Sequence, residues 1–421
     1  MEATSRPSVC RAATLIAAVL LTVGCAGTPA TPDAAPASQP GASAAPSPVT
    51  SRPAAPTDRP TPSASISISD WMRLPATGVF RAAMMTRIVA GPAGLLALGG
   101  TDGPGFITWW SRDGLEWTRS GYAGIAVAGD AVAVADGFLV LGKVGDGPDA
   151  ERAMAWRSAD GAQWTGSPIG ELRTGPFAAD RIGDRISAFA IRAPAGGEPT
   201  FAWSSKDLVA WASGMLGGGG FSTVIGMTAL ADGSGLAFGR WSNEPQDIAP
   251  FPVGQAAFWQ STDGAAWQKM PDDPDLRDAQ VIDAAQVPAA VIVAVGQRWN
   301  PALSPDQPFT IAAWSSSDGR SWEPATWPSS LERTWVPLKV APTGSGVVLL
   351  AAPRAGGANA LIARTTDGRT WTALDPPITF EGGQANDLVA VDSHLVVVGQ
   401  TLPPGGTPAD AVVWIGPAAS D

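Results

Sequence analysis

A seven-residue pattern, Ser-x-Asp-Gly-x-x-Trp, constrains this chain more than any other feature, because it recurs six times. The copies are centred on Asp113, Asp160, Asp207, Asp263, Asp318 and Asp367, at intervals of roughly 50 residues, which is the signature of a repeat architecture. A Trp follows each Asp by four positions (Trp117, Trp164, Trp211, Trp267, Trp322 and Trp371). In five copies a second Trp precedes the Asp by four (Trp109, Trp156, Trp203, Trp259 and Trp314), and a Ser or Thr stands two before every Asp. Asp-Gly suits a tight hairpin turn because both residues tolerate positive φ. The hydroxyl and the carboxylate accept turn N–H groups that would otherwise lack partners. Thirteen of the 18 Trp occupy the two repeated positions once Trp71 and Trp414 are included, so packing rather than ligand binding accounts for most of them. The third copy reads Ser205-Lys206-Asp207-Leu208 and lacks the Gly, which predicts a strained or altered turn there.

Each period has the same anatomy: a short apolar run, a small turn, a second run such as Gly137-Phe-Leu-Val-Leu-Gly142, a variable loop, then two runs flanking the Asp-Gly turn. Short runs of apolar and β-branched residues between Gly and Pro signals are strands, and no segment shows sustained helical periodicity. Four short strands per unit of this length describe a β-propeller blade. Six motif copies give six all-β, four-stranded blades. A further unit begins near Gln384 and carries three strands and the first Trp, Trp414, before the chain ends. Its missing fourth strand is expected at the other end, where Trp71-Met-Arg-Leu-Pro75 matches the run after the turn elsewhere. The expectation is seven blades, the last closed by the N-terminal strand, which removes free sheet edges. The alternative is a six-bladed ring with a stray edge.

The motif resembles the Asp-box of the sialidase-like (BNR-repeat) propellers, whose usual form carries one more residue. The resemblance covers nearly all of residues 68–416. It implies that the Asp-boxes lie at the outer turns, away from the face that carries the active site in that family. Residues outside the Asp-boxes are therefore the candidates for function.

The N-terminal region is of another kind. Arg6 and Arg11 precede an apolar run over residues 12–23, too short to span a membrane and suited to a signal-peptide core. It ends in Leu21-Thr-Val-Gly24-Cys25, which resembles the lipobox of bacterial lipoproteins and implies removal of residues 1–24 and acylation of Cys25. The only other cysteine, Cys10, lies within the leader. Residues 25–67 are almost entirely Ala, Pro, Ser, Thr and Gly after the Cys and cannot bury enough apolar surface to offset their ordering entropy, so a disordered tether is expected. The implied location is extracytoplasmic, with acyl chains holding the protein at the bilayer. A net charge of −11 argues against nucleic acid as a partner.

Candidate binding residues fall in two sets. Arg81, Tyr122, Arg173, Arg277, Arg333 and Glu381 lie on the approach to the innermost strand of six blades and are expected near the channel mouth. The resemblance offers a chemistry for them, since catalytic sialidases use three Arg on a carboxylate and a Tyr activated by a Glu. Tyr122 is the only Tyr, and its partner would be Glu381. The second set follows the second strand: Lys143, Arg192, Arg240, Arg298 and Arg354, with Trp241 and Trp299 after two of them. Such a basic ring on an acidic protein suits an anionic ligand, with the indoles suited to a sugar face. The bland reading of both sets is solvated loop residues and long side chains covering strand ends. No cofactor or metal is expected. His394 is the sole His, the acidic run Asp272, Asp273, Asp275 and Asp278 lacks EF-hand spacing, and the Gly run 217–220 lacks the Lys-Ser/Thr of a phosphate loop. The leading expectation is a membrane-tethered binding or scaffolding propeller for a glycan or a protein. A sialidase-like glycosidase and an assembly factor acting through protein contacts are the alternatives.

Overall fold

The computed structural model describes residues 70–418, apart from short stretches of which the longest are 192–199, 243–254 and 301–308. Cys25 and the proposed leader and tether lie outside the described residues. Within them are seven four-stranded antiparallel sheets, and the only helical elements are two short 3-10 turns, Gly78–Phe80 and Pro274–Leu276. The sheets are the blades of a propeller.

The innermost strands of blades 1 to 7 are Met84–Gly91, Ala126–Val134, Ala178–Ile182, Phe221–Ala229, Ala279–Gln286, Trp335–Pro342 and Gly383–Val391. In blades 1 to 6 the four strands follow one another in sequence from the axis outward. Blade 7 departs from this. Its first three strands are Gly383–Val391, His394–Thr401 and Ala411–Pro417, and its fourth is Met72–Arg73 from the start of the ring. Met72 pairs with Ile415 and Arg73 with Trp414. The Leu74 N–H extends the pairing to the Val413 carbonyl at 2.9 Å, and the Ala83 N–H reaches the Ala409 carbonyl at 2.9 Å. Seven blades closed by the N-terminal strand are thus the observed arrangement, and the six-bladed alternative falls.

The Asp-box turns are built as their composition requires. In the fourth copy the Gly264 N–H donates to Ser261 Oγ at 2.9 Å, and the N–H groups of Ala265 and Ala266 donate to Asp263 Oδ1 at 2.9 and 3.1 Å. Backbone N–H donors hold the carboxyls of Asp160, Asp207, Asp263, Asp318 and Asp367 below the ordinary Asp range, because they stabilise the charged form. Gly264, Gly319 and Gly368 take φ of +73°, +71° and +75°. Leu208 takes φ +62° in the third copy and keeps the same bonds, with its N–H on Ser205 Oγ at 2.9 Å. The turn is therefore unaltered, and the strain falls on Leu208, a side chain that disfavours this region by about 1–2 kcal/mol.

Repeated Trp residues fill the seams between blades. Trp109, Trp156, Trp259 and Trp314 are completely buried. Burial of an indole of this size contributes on the order of 4–6 kcal/mol. Three of these indoles also fix the connection that enters their own blade: Trp109 Nε1 donates to the Val79 carbonyl at 2.8 Å, Trp259 to Gly217 at 3.1 Å and Trp314 to Asp275 at 2.9 Å. Each Asp-box turn packs on the preceding blade. Ser187 Oγ of blade 3 donates to the Gly264 carbonyl of blade 4 at 2.5 Å, and Thr108 Oγ1 of blade 1 donates to Gly161 of blade 2 at 3.2 Å. His394 has this role at the closing seam: buried in blade 7, its Nε2 lies 3.1 Å from the Asp113 carbonyl of blade 1.

Candidate functional site

The two faces of the ring differ. Asp-box turns and the hairpins between first and second strands form one, here the turn face. Inter-blade connections and the loops between second and third strands form the other, the loop face. Between them runs the axis, and the innermost strands place charge around it.

Six of these strands carry a β-bulge, and five put a charged residue directly after it: Arg87, Asp130, Asp283, Lys339 and Asp387. In blade 4 Gly226 holds that position, and the Phe238 ring occupies the space a Cβ would need. Blade 3 has no bulge, and its Asp180 stands two positions further along the strand than Asp130 in the shared register. The Asp residues have a common task. An innermost strand exposes unpaired N–H groups on its axial edge, and buried ones must find acceptors. Asp387 Oδ2 accepts from the Ile88 N–H of the next blade at 2.9 Å, Asp130 from Ala179 at 2.9 Å, Asp180 from Ala229 at 2.9 Å and Asp283 from Val340 at 2.8 Å. Each is a clip from one blade to the next, and the clip at Asp387 crosses the closure.

Two cations complete the cluster. Arg87 lies 3.4 Å from Asp130, and Lys339 lies 3.2 Å from Asp283. Both are about one-third exposed while their partners are nearly buried, as expected of side chains that face a narrow solvent-lined axis. Asp130 holds the Arg87 pKa up against the opposing effect of burial. Burial pulls Lys339 down, but Asp283 and Asp387 outweigh it, and the net shift is upward. Burial raises Asp387 and takes Asp180 to about 6, because for Asp180 the two N–H donors and the distant Lys339 only partly offset desolvation. Sequence reasoning missed this cluster. Its trace was a single charge inside each of several apolar runs, as in Ala128-Gly-Asp130-Ala-Val132 and Val281-Ile-Asp283-Ala284.

The residues singled out from the sequence are dispersed. Arg173, Arg192, Arg333 and Glu381 lie outside the described residues. Arg81 is exposed at the end of the first 3-10 turn, where its carbonyl accepts from Arg119 at 2.6 Å. Arg277 is likewise exposed at the end of the second. Tyr122 ends the outermost strand of blade 1, stacked on Phe106 at 5.7 Å and 5.4 Å from Trp156, in the core between blades 1 and 2. It is a packing residue of that seam.

In the basic set, Lys143 pairs with Glu151 at 2.5 Å. Arg298 donates to the Asp275 carbonyl and lies 5.7 Å from the Trp314 ring centroid, in the seam its blade shares with the preceding connection. Trp299 is half-buried, its backbone N–H on the Asp278 carbonyl at 2.7 Å. Trp241 donates to Gly219 at 2.9 Å, with Lys269 Nζ 4.2 Å from its ring. Arg240 is half-buried, and desolvation lowers its pKa. Arg298 Nε is buried without a hydrogen-bond partner, and Arg354 goes further. Its Nε and Nη2 are buried without a hydrogen-bond partner, and desolvation lowers its pKa too. Among the described residues no group of three or more His, Cys, Asp or Glu is arranged to hold a metal ion. In the acidic run, Asp273 instead accepts from Asp275 at 2.9 Å and from Trp322 at 2.8 Å.

No protein-family profile matches this sequence, and no curated protein matches it. Solved structures do. A polysaccharide lyase, Uly1, aligns over 80% of this chain and 90% of its own at 8% identity and a TM-score of 0.53. Kuenenia stuttgartiensis hydrazine synthase aligns over 74% of this chain and 92% of its own at 11% identity and a TM-score of 0.51. Trypanosoma rangeli sialidase in complex with the inhibitor DANA aligns over 79% of this chain and 55% of its own at 11% identity and a TM-score of 0.43. At such identities the likeness is one of fold alone, and the fold of this chain is the seven-bladed β-propeller described above.

Proposed function

We propose that this protein is a lipid-anchored, extracytoplasmic binding propeller that presents its loop face to an acidic glycan without catalysing a reaction. The observation that carries the reading is Arg354. A guanidinium with two buried, unpartnered donors and, among the described residues, no carboxylate shifting it has lost hydration without recovering it. A ligand carboxylate would restore both hydrogen bonds in the planar, two-pronged geometry that Arg favours. Arg240, also partly desolvated, lies towards the same end of the second strand of blade 4, two positions earlier in the shared register. Tyr122, stacked against Phe106, is poorly placed to act as the nucleophile of a sialidase-like reaction. The lipobox-like run ending at Cys25 supports the anchor.

The test is a glycan array holding matched neutral and carboxylated glycans, read with wild type, Arg354→Ala and Arg240→Ala. The expected result is retention of carboxylated glycans by wild type and its loss in Arg354→Ala, with an unchanged melting temperature. Equal binding by wild type and Arg354→Ala refutes the assignment, and so does a wild type that holds only neutral glycans or none.

A further inference from the structure

The turn face of blade 6 carries a concavity of about 350 Å³, whose lining includes Thr343, Ser345, Val347, Val348, Arg364 and Thr370. The repeat explains its position. Elsewhere an Asp-box turn covers this place on the preceding blade. Gly114 meets Val396 of blade 7, Gly161 meets Trp110 of blade 1, Gly264 meets Ile182 and Ser187 of blade 3, and Gly368 meets Val293 and Ser315 of blade 5. Val293 pairs with Ser315 as Val348 pairs with Arg364. Val348 and Arg364 therefore stand on blade 6 where the covered pair stands on blade 5. The turn that would cover them belongs to blade 7, whose third strand ends at Pro417 and whose fourth begins at Met72, so no continuous turn joins the two. The concavity is the seat of a missing seventh Asp-box.

We propose that this seat is a docking site for the chain's own segment 65–69, which lies outside the described residues. Two observations select this occupant. Trp71 completes the closing blade from the position of the second repeated Trp, packed against the backbone at Gly416. In the six Asp-boxes the residues just before that Trp are the ones that rest on the preceding blade. Finally, Ser65-Ile66-Ser67-Ile68-Ser69-Asp70-Trp71 keeps a hydroxyl six residues before the Trp, as all six Asp-boxes do, and puts Ser67 in the place of the Asp. Ser67 accepts a backbone N–H as the Asp does, only more weakly. The lining offers the hydroxyls of Ser345 and Thr370 to the serines of this segment, while its Val347 and Val348 are buried. Ile68, at the position of the Gly, disfavours the positive φ that Leu208 accepts.

Hydrogen–deuterium exchange on the full chain tests this, with amides read over 65–69 and over the blade 6 hairpin at 343–348. In wild type the 65–69 amides exchange at least about tenfold more slowly than an unstructured chain. Ile66→Asp/Ile68→Asp, in the segment, and Ser345→Trp, at the rim of the seat, each abolish that protection. The first also speeds exchange at 343–348. Unprotected 65–69 amides in wild type overturn the proposal, as does protection that survives both variants. Protection at 343–348 that rises with protein concentration also overturns it, since it assigns the seat to a second copy.

Discussion

The turn glycines allow backbone strain and seam packing to be measured separately. Gly264 and Gly319 hold the same place in successive Asp-boxes with φ of +73° and +71°. A Cβ on Gly319 meets only the methyl ends of Ile292 and Leu236, both at 3.5 Å. A Cβ on Gly264 falls 2.6 Å from Ser187 Oγ and 3.0 Å from Ile182 Cβ. Gly319→Ala therefore adds only the left-handed penalty of an L-residue, about 1 kcal/mol after the gain from a less flexible unfolded chain. Gly264→Ala adds that penalty, an overpacking cost of about 1–3 kcal/mol, and the strain on the Ser187 hydrogen bond to the Gly264 carbonyl. The expected total is about 3 kcal/mol. Urea unfolding followed by Trp fluorescence reads both, and the seam variant should lose about 2 kcal/mol more than the open one. Ser187→Ala combined with Gly264→Ala should cost less than the separate losses together, because Ser187→Ala removes the oxygen that the methyl added at position 264 strikes. Equal losses at the two glycines, or strict additivity with Ser187→Ala, would show that seam contact does not set the cost and refute the reasoning.

Three further outcomes are expected. Asp180, with its folded pKa raised to about 6, keeps its proton in the folded state after the unfolded chain has lost it near pH 4, so its contribution to stability falls as pH rises across that window, by at most about 3 kcal/mol. Denaturation midpoints from pH 4 to 7 should show a slope that Asp180→Asn flattens, and an unchanged slope removes Asp180 as its source. Asp387→Ala leaves the Ile88 N–H without its acceptor and should destabilise by about 3 kcal/mol, with faster exchange at the Ile88 amide; an unaffected amide would mean that Asp387 does not clip the closing seam. Cys25→Ser should move the protein from the membrane to the soluble fraction on cell fractionation, and retention at the membrane would rule out acylation of Cys25 as the anchor.

The architecture was legible because the Asp-box states it locally. Ser, Asp, Gly and two Trp at fixed spacing build a turn and its seam from residues a few positions apart, and Trp71 with Trp414 revealed even the shared blade. Leu208 shows how far this extends: the absent Gly announced strain, but only the intact hydrogen bonds show that the turn absorbs it. Candidate sites were less legible, because they depend on direction about the ring axis, which spacing along the chain does not carry. Tyr122 reads as the start of a connection, yet the outer strand continues through it and turns its ring into a seam. Asp130 and Asp387 become axial clips because a bulge directly before each shifts the strand by one residue, and a bulge leaves no fixed mark in sequence.

The two-residue strand Met72–Arg73 has a mechanical consequence. It is the outermost strand of blade 7, antiparallel to the Ala411–Pro417 strand and directly downstream of the N-terminal segment. A force applied through that segment acts along the strand, so its few hydrogen bonds bear the load together in shear instead of opening one after another. Behind them, the Ala82 N–H on Asp410 Oδ1 at 2.8 Å and the Asn386 Nδ2 on the Met85 carbonyl at 2.7 Å take up tension next. The other six blades lie beyond this latch. Under a pull from the N-terminus the ring should yield first at its own clasp, with blades 2 to 6 still folded.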